Sequence, residues 1–139
     1  MIRLGHYGLG TQDAKLDRTK WEVDGKLIFY GGASFGRGTN LSVGGILTVG
    51  NNFCITGAST IICKHAIEFG HDTLISWDVL IMDTDFHKIC NTDGKLVNED
   101  RPIRIGNNVW IGCRTTILKG ASIASNSVIA ASSLVTSKL

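Results

Sequence analysis

Residues 103–139 read IRIGNNVWIGCRTTILKGASIASNSVIAASSLVTSKL, and every sixth position within them carries an aliphatic side chain. These positions are Ile105, Ile111, Ile117, Ile123, Ile129 and Val135. A mostly small residue follows each of them by four positions. A period of six fits neither the 3.6-residue period of an α-helix nor the alternation of a long strand. It predicts a coil of short strands in which each hexapeptide forms one side of a prism, with the aliphatic residue inside and the small residue near a corner.

The same period continues toward the N-terminus and defines five turns of three sides each. The earlier inward positions are Phe29, Phe35, Leu41, Val49, Ile55, Ile61, Phe69, Ile75 and Ile81. The step of six widens to eight at 41→49 and 61→69, and to 24 at 81→105, always at the same corner of the prism. We therefore predict an all-β solenoid that is stabilised by the stacking of neighbouring turns and has one long loop. Residues 29–139 form this repeat domain, and residues 1–28 are interpreted as an N-terminal arm or cap.

Length and composition restrict the chain to one domain. Its 139 residues carry 14 Lys and Arg against 12 Asp and Glu. This balance argues against nucleic-acid binding, because such surfaces cluster basic residues. The chain has no apolar leader and no apolar stretch of 18 residues, so we expect neither export nor a membrane span. The four cysteines lack metal-ligand spacing and are expected to be reduced thiols of a cytoplasmic protein that needs no metal.

Two segments resemble a known family. Residues 103–139 resemble the hexapeptide-repeat acyltransferases, and FGHDTLISWDVLIMDTDFH, at residues 69–87, resembles the stretch before their active-site loop. The likeness is above all to the O-acetyltransferases of sugars and capsular polysaccharides. It implies a left-handed parallel β-helix, acetyl-CoA as the donor, and a homotrimer with active sites between subunits.

Within this resemblance, His87 takes the place of the catalytic histidine, at the end of the D-x-D-F-H motif. Acetyl transfer to a hydroxyl needs a base, and the unperturbed pKa of histidine lies near neutrality. Phe86 stands where galactoside-type members have glycine. The active-site loop, residues 87–102, is expected to reach a neighbouring subunit and enclose donor and acceptor. A surface histidine on a disordered insertion is the structural alternative.

The 20-residue spacing of the early turns suggests a partner for this histidine. It groups Gly45 with His65 and Asp85 in one corner column, and Leu47 with Ile67 and His87 in another. We therefore expect Asp85 to orient His87 or to pair with His65. A corner cap that binds loop amides is an alternative for Asp85, and Asp83 is then the orienting residue.

The resemblance also assigns binding residues. The CoA groove is expected at Trp110, Cys113, Ala131 and Thr136, with Trp110 pointing outward from a corner toward CoA or another subunit. Lys119 and Lys138 are either solvated or in contact with the CoA phosphates. Two sugar contacts of galactoside- and maltose-type members fall on Thr56 and Lys64, which together with Asp83 are the candidate acceptor residues. Because these differ from the Asn and Asp of those members, a surface-polysaccharide sugar fits better than a simple galactoside. A lysine near the acceptor suits an acidic sugar or one linked to a nucleotide or a lipid phosphate.

The function expected from the sequence is therefore acetyl-CoA-dependent O-acetylation of a sugar hydroxyl in surface-polysaccharide modification. A xenobiotic acetyltransferase of the same fold and an inactive β-helix scaffold are the alternatives. A zinc-dependent γ-type carbonic anhydrase needs two histidines five apart, whereas His65 and His71 are six apart.

Overall fold

The computed structural model describes residues 1–6 and 18–139, and over these residues it contains seventeen short strands and no helix. The strands form three parallel sheets, which we call faces A, B and C. Face A consists of β1 (Ile2–His6), β4 (Ala33–Gly36), β7 (Phe53–Ile55), β10 (Leu74–Ile75), β13 (Trp110–Ile111) and β16 (Val128–Ile129). Face B consists of β2 (Lys20–Val23), β5 (Asn40–Val43), β8 (Thr60–Cys63), β11 (Leu80–Met82), β14 (Thr116–Leu118) and β17 (Leu134–Val135). Face C consists of β3 (Lys26–Phe29), β6 (Ile46–Val49), β9 (Ala66–Phe69), β12 (Ile103–Ile105) and β15 (Ser122–Ile123).

The chain visits faces A, B and C in turn, so each circuit adds one strand to every face. The result is the predicted three-sided left-handed β-helix, with about six turns. No helix among the described residues is long and apolar enough to cross a membrane.

The predicted hexad grid is confirmed by the strand register. On face C, the consecutive partners are Phe29, Val49, Phe69, Ile105 and Ile123. On face A, they are Phe35, Ile55, Ile75, Ile111 and Ile129. On face B, they are Leu41, Ile61, Ile81, Ile117 and Val135. All are buried except Phe29, which is partly buried, and each buried side chain of this size contributes roughly 1.5–3 kcal/mol.

The eight-residue steps widen the coil at the corner between faces B and C. The four-residue strands there each present a second side chain to the interior, as Val43 and Leu47 do. The next residues in the column of Leu47 are Ile67 and then Ile103, at the start of β12. The prediction that His87 continues this column is therefore wrong. A buried aliphatic residue from beyond the loop takes that place, and His87 is exposed.

The segment interpreted as an N-terminal arm or cap contributes strands to the coil. β1 pairs with β4 and β2 pairs with β5, so that Leu4 aligns with Phe35 and Trp21 with Leu41. The coil thus begins before residue 29. The period does not reveal this first turn because Trp21 follows Leu4 by 17 positions rather than six. Residues 7–17 of the predicted arm lie outside the described part of the chain.

The corner between faces C and A carries a ladder of side chains, which we call the corner ladder: Asn51, His71, Asn107 and Ser125. Asn51 Oδ1 accepts a hydrogen bond from the Gly32 amide. The amides of Asn51, His71 and Asn107 donate to the next side chain along the coil, with the four bonds spanning 2.8–2.9 Å. Each turn therefore fixes the backbone of its neighbour at this corner.

Candidate functional site

The 24-residue step at the B–C corner contains an ordered β-hairpin, residues 87–98, which we call the hairpin. The Val97 amide donates to the Ile89 carbonyl at 2.9 Å, and Cys90 and Leu96 form an antiparallel bridge. The insertion is therefore a hydrogen-bonded element that projects from the coil, and not the disordered segment that was considered as an alternative.

The tip of the hairpin forms at the Asp93–Gly94 turn signal. Asn91 Oδ1 accepts the amides of Asp93 at 3.1 Å and Lys95 at 2.8 Å. Gly94 has φ +77°, a conformation that glycine adopts without a steric penalty. The Asn91 side chain therefore closes the tip together with two backbone bonds, from the Asn91 amide to the Lys95 carbonyl and from the Gly94 amide to the Asn91 carbonyl.

The base of the hairpin is held by Asn98. Its Nδ2 donates to Asp85 Oδ2 at 2.9 Å and to the His87 carbonyl at 2.7 Å. Its Oδ1 accepts the Ile89 amide at 2.7 Å, and its backbone carbonyl accepts Lys119 Nζ at 2.9 Å. Asn98 thus connects both strands of the hairpin to each other and to the coil.

His87 begins the hairpin with its side chain exposed and its backbone fixed. Its amide donates to the Asp85 carbonyl at 2.7 Å. The preceding residue, Phe86, has φ +60°, which is unusual for a bulky side chain. Phe86 is 57% exposed, and Lys64 Nζ lies 5.9 Å from the centroid of its ring. The chain therefore reverses direction through a strained residue immediately before the candidate base.

Asp85 has different partners from those predicted. Its carboxylate forms an ion pair with Lys119 and accepts from Asn98, and among the described contacts it binds no histidine side chain. The Lys119 ammonium and then the Asn98 amide hold the pKa of the Asp85 carboxyl below its usual value. The expected pairing with His65 is therefore not formed, and Asp85 meets His87 only through the backbone and through Asn98.

Asp83 performs the capping role that was considered for Asp85. It is fully buried, and its two oxygens accept the Lys64 amide at 2.7 Å and the His65 amide at 2.8 Å. With both oxygens occupied inside the coil, Asp83 neither orients His87 nor reaches an acceptor, which corrects both predicted roles. Burial, together with the Asp83 charge, raises the pKa of the Cys63 thiol to about 12, so this thiol is not a nucleophile at neutral pH.

A cleft of about 560 Å³ lies between the returning strand of the hairpin and the coil. Asp85, Asn98, Arg101 and Lys119 line its inner end. Gly120 has φ +80°, and a Cβ there would lie 3.0 Å from the Arg101 guanidinium carbon. The glycine therefore leaves room for this guanidinium beside the ion pair of Lys119 and Asp85.

The predicted CoA residue Trp110 lies on β13, the fifth of the six strands of face A, and not at a corner. It points outward and is 50% exposed, with Nε1 donating to Ser76 Oγ at 3.2 Å. Its register partners are Leu74 and Val128, which are also exposed. These three side chains form an apolar stripe along face A.

The other three predicted CoA residues lie at two corners. Cys113 and Ala131 are at the A–B corner, where the Ser132 amide donates to the Cys113 carbonyl at 2.8 Å. Thr136 follows β17 at the B–C corner. These three residues therefore lie at opposite edges of face B and do not form one cluster.

The predicted acceptor residues are also separated. Thr56 precedes β8 and its hydroxyl is buried without a hydrogen-bond partner. Lys64 follows β8 at the B–C corner, is exposed, and faces Phe86. Since Asp83 is buried, Lys64 is therefore the predicted acceptor residue whose side chain is exposed beside the segment that carries His87.

The two histidines considered for a zinc site, His65 and His71, take part in hydrogen bonds between turns of the coil. His71 Nδ1 accepts the Asn51 amide and belongs to the corner ladder, and the His65 amide is bound by Asp83. Among the residues that the structure describes, no group of three or more His, Cys, Asp or Glu could hold a metal ion.

Sequence reasoning missed Asn98 and misplaced Lys119. The Lys119 side chain is only 12% exposed, because its ammonium is turned inward to Asp85 and Asn98, so it is not the solvated surface lysine of one of the two predictions. The Asp93–Gly94 turn was the available signal for Asn98. Extending a hairpin from that turn brings residue 98 opposite the segment at 87–89.

Comparisons with known proteins agree with this architecture. The family model for the bacterial transferase hexapeptide (six repeats) matches residues 102–137. The galactoside O-acetyltransferase of Escherichia coli strain K12 is 36% identical over 97 residues, which are 68% of this chain and 47% of that protein. The polysialic acid O-acetyltransferase of Neisseria meningitidis is 38% identical over 74 residues, which are 52% of this chain and 32% of that protein. The chain thus spans half or less of the length of these curated relatives.

Solved structures show the same fold. A crystallised polysialic acid O-acetyltransferase superposes with a TM-score of 0.61 at 20% identity, covering 100% of this chain and 81% of the other. A second polysialic acid-specific acetyltransferase gives 0.54 at 21% identity, covering 88% and 80%. The sequence matches confirm the resemblance to the hexapeptide-repeat acyltransferases that was drawn from the sequence, and the superpositions confirm the fold.

Proposed function

We propose that this protein transfers an acetyl group from acetyl-CoA to a sugar hydroxyl, with His87 as the general base. The observation that carries the proposal is the long interruption of the coil between Ile81 and Ile105. It is an ordered hairpin that begins with an exposed histidine whose backbone is fixed by Asp85 and Asn98. The sequence likeness to sugar O-acetyltransferases supports the reaction class.

In this reaction His87 takes the proton of the acceptor hydroxyl as its oxygen bonds to the acetyl carbon. The carbon–sulfur bond of the thioester then breaks, and the departing thiolate takes the proton back from the imidazolium. General base catalysis of this kind contributes roughly 10²–10⁴-fold to the rate. Because the His87 backbone is hydrogen-bonded on both sides, the point from which its imidazole extends is fixed relative to the coil, which favours that contribution.

We further propose an acidic glycan as the acceptor, in surface-polysaccharide modification. Lys64 and Lys88 are exposed beside His87, and Arg101 lines the cleft at the hairpin base. Such cations attract a carboxylated sugar more than a neutral one. Two relatives named as polysialic acid O-acetyltransferases support the same class.

The donor and the assembly are proposed on face A and the edges of face B. The apolar stripe of Leu74, Trp110 and Val128 is a surface that a second subunit or CoA would cover, which supports a homotrimer with CoA near Trp110, Cys113, Ala131 and Thr136. The four free cysteines fit a cytoplasmic enzyme.

The test is thiol release from acetyl-CoA by wild type and His87→Ala, measured with neutral sugars, sialic acid oligomers and hydroxylated aromatic acceptors. We expect release that depends on an acidic sugar and falls at least 100-fold in the variant, as loss of a general base predicts. His65→Ala is the matched control and should retain activity. Release with aromatic acceptors only would indicate a xenobiotic acetyltransferase. No release and no CoA binding would indicate a scaffold.

A further inference from the structure

We propose that Asn98 is a positioning residue that holds His87 in place for transfer, acting as a clasp between the two ends of the hairpin. This inference rests on the proposed function in that it takes His87 as the base. Nothing in the hexad pattern or in the resemblance assigns a role to Asn98.

The Asn98 side chain forms hydrogen bonds through both its amide nitrogen and its amide oxygen. The amide nitrogen of Asn98 donates to the His87 carbonyl and to Asp85 Oδ2, and the amide oxygen accepts the Ile89 amide. Asparagine combines two N–H donors and a carbonyl acceptor in one planar group. The same planar side chain therefore binds Asp85 before His87, the carbonyl of His87 itself, and the amide of Ile89 after it.

The clasp is itself fixed to the coil by Lys119. The Lys119 ammonium binds Asp85 Oδ2 and the Asn98 carbonyl, and its side chain is 12% exposed. Lys119 directly follows β14 in the next turn, so its hydrogen bonds attach the base of the hairpin to the regular coil. Without Asn98, Lys119 still holds Asp85, but His87 keeps only the bond from its own amide to Asp85.

Loss of the clasp should therefore lower kcat and leave the binding of acetyl-CoA nearly unchanged. A displacement of a catalytic group by about 1 Å can cost 100-fold in rate. We expect Asn98→Ala to lower kcat by at least tenfold, with the KM for acetyl-CoA within about twofold of wild type. Asn98→Asp keeps the acceptor for the Ile89 amide but loses both donors, and should lose nearly as much activity.

Asn91→Ala is the matched control. It removes an asparagine that makes two backbone hydrogen bonds in the same hairpin, but at the tip. We expect it to keep kcat within about twofold of wild type. Amide hydrogen exchange supplies a readout that does not depend on activity: Asn98→Ala should accelerate exchange at Ile89, whereas exchange in β11 and β12 should stay slow.

The outcomes separate the two proposals. An active wild type with Asn98→Ala as active as Asn91→Ala would overturn the clasp and leave the transferase standing. Unchanged exchange at Ile89 in Asn98→Ala would also overturn the clasp, even in a protein without activity. A wild type that releases no thiol with any acceptor would overturn the transferase, and with it the positioning of a base. Faster exchange at Ile89 together with a loss confined to kcat is the result that supports the proposal.

Discussion

The C–A and B–C corners of the coil use the same kinds of side chain for opposite purposes. At the C–A corner, His71 is one rung of the corner ladder, and its Nδ1 already accepts the amide of the neighbouring turn. At the B–C corner, Asn98 and Asp85 secure the inserted hairpin, and the His87 imidazole stays exposed. The His71 ring therefore satisfies the backbone of the neighbouring turn, whereas the described contacts leave the His87 ring free of such a bond.

The two corners also differ in how deeply their polar groups are buried. The corner ladder lies at the surface, where water can replace a lost bond. The B–C corner contains Asp83, which is completely buried beneath the departing chain. We therefore expect the coil to depend on Asp83 more than on any rung of the ladder.

Asp83→Ala should produce the largest loss of stability. The variant leaves the Lys64 and His65 amides without their acceptor at the point where the hairpin departs. Unsatisfied buried groups of this kind cost about 1–3 kcal/mol each, so we expect a loss of about 3 kcal/mol in the free energy of unfolding, measured in urea. Asp24→Ala, at an exposed carboxylate of the same B–C corner, is the control and should cost much less. Equal losses would contradict the contrast between a buried cap and an exposed carboxylate.

A smaller effect is expected at the corner ladder. His71→Ala removes one surface acceptor and should lower the free energy of unfolding by about 1 kcal/mol. His71→Asn should be close to wild type, because asparagine accepts the equivalent amide at position 107. Both variants should retain transferase turnover, in contrast to His87→Ala. A His71→Ala protein that is folded but inactive would break the division of labour between the two corners.

The fold could be predicted because the hexad is a local period that repeats. Each of Ile105, Ile111 and Ile117 implies the same inward direction, and the register reproduces that grid. The first turn was missed where the spacing between Leu4 and Trp21 departs from six. Periodicity therefore predicts the architecture wherever the period holds, and resumes after the long insertion, but it does not describe the backbone inside an insertion.

The candidate site could be predicted only in part, because it lies at an insertion. The motif located His87, but counting by twenty placed it in the column that Ile103 completes. Of the partners of Asp85, Asn98 could be reached from the sequence only by extending a hairpin from the Asp93–Gly94 turn, and Lys119, 34 residues away along the chain, gave no signal. Contacts of this length depend on how the hairpin folds back, which no repeat encodes.

The smallest expected effect concerns Phe86, the residue through which the chain turns from the coil into the hairpin. Its φ of +60° costs a side-chain-bearing residue roughly 1–2 kcal/mol, whereas glycine adopts it freely. Phe86→Ala and Phe86→Gly both lose the contact with Lys64, so their difference isolates the backbone strain. We expect the Gly variant to be more stable than the Ala variant by about 1 kcal/mol in urea unfolding. The same pair at Ile89, which is not in the left-handed region, should show the reverse order because glycine raises the entropy of the unfolded chain. If Ala is also preferred at position 86, the turn is not strained, and the distinction between a relaxed ladder corner and a constrained hairpin corner rests on hydrogen bonds alone.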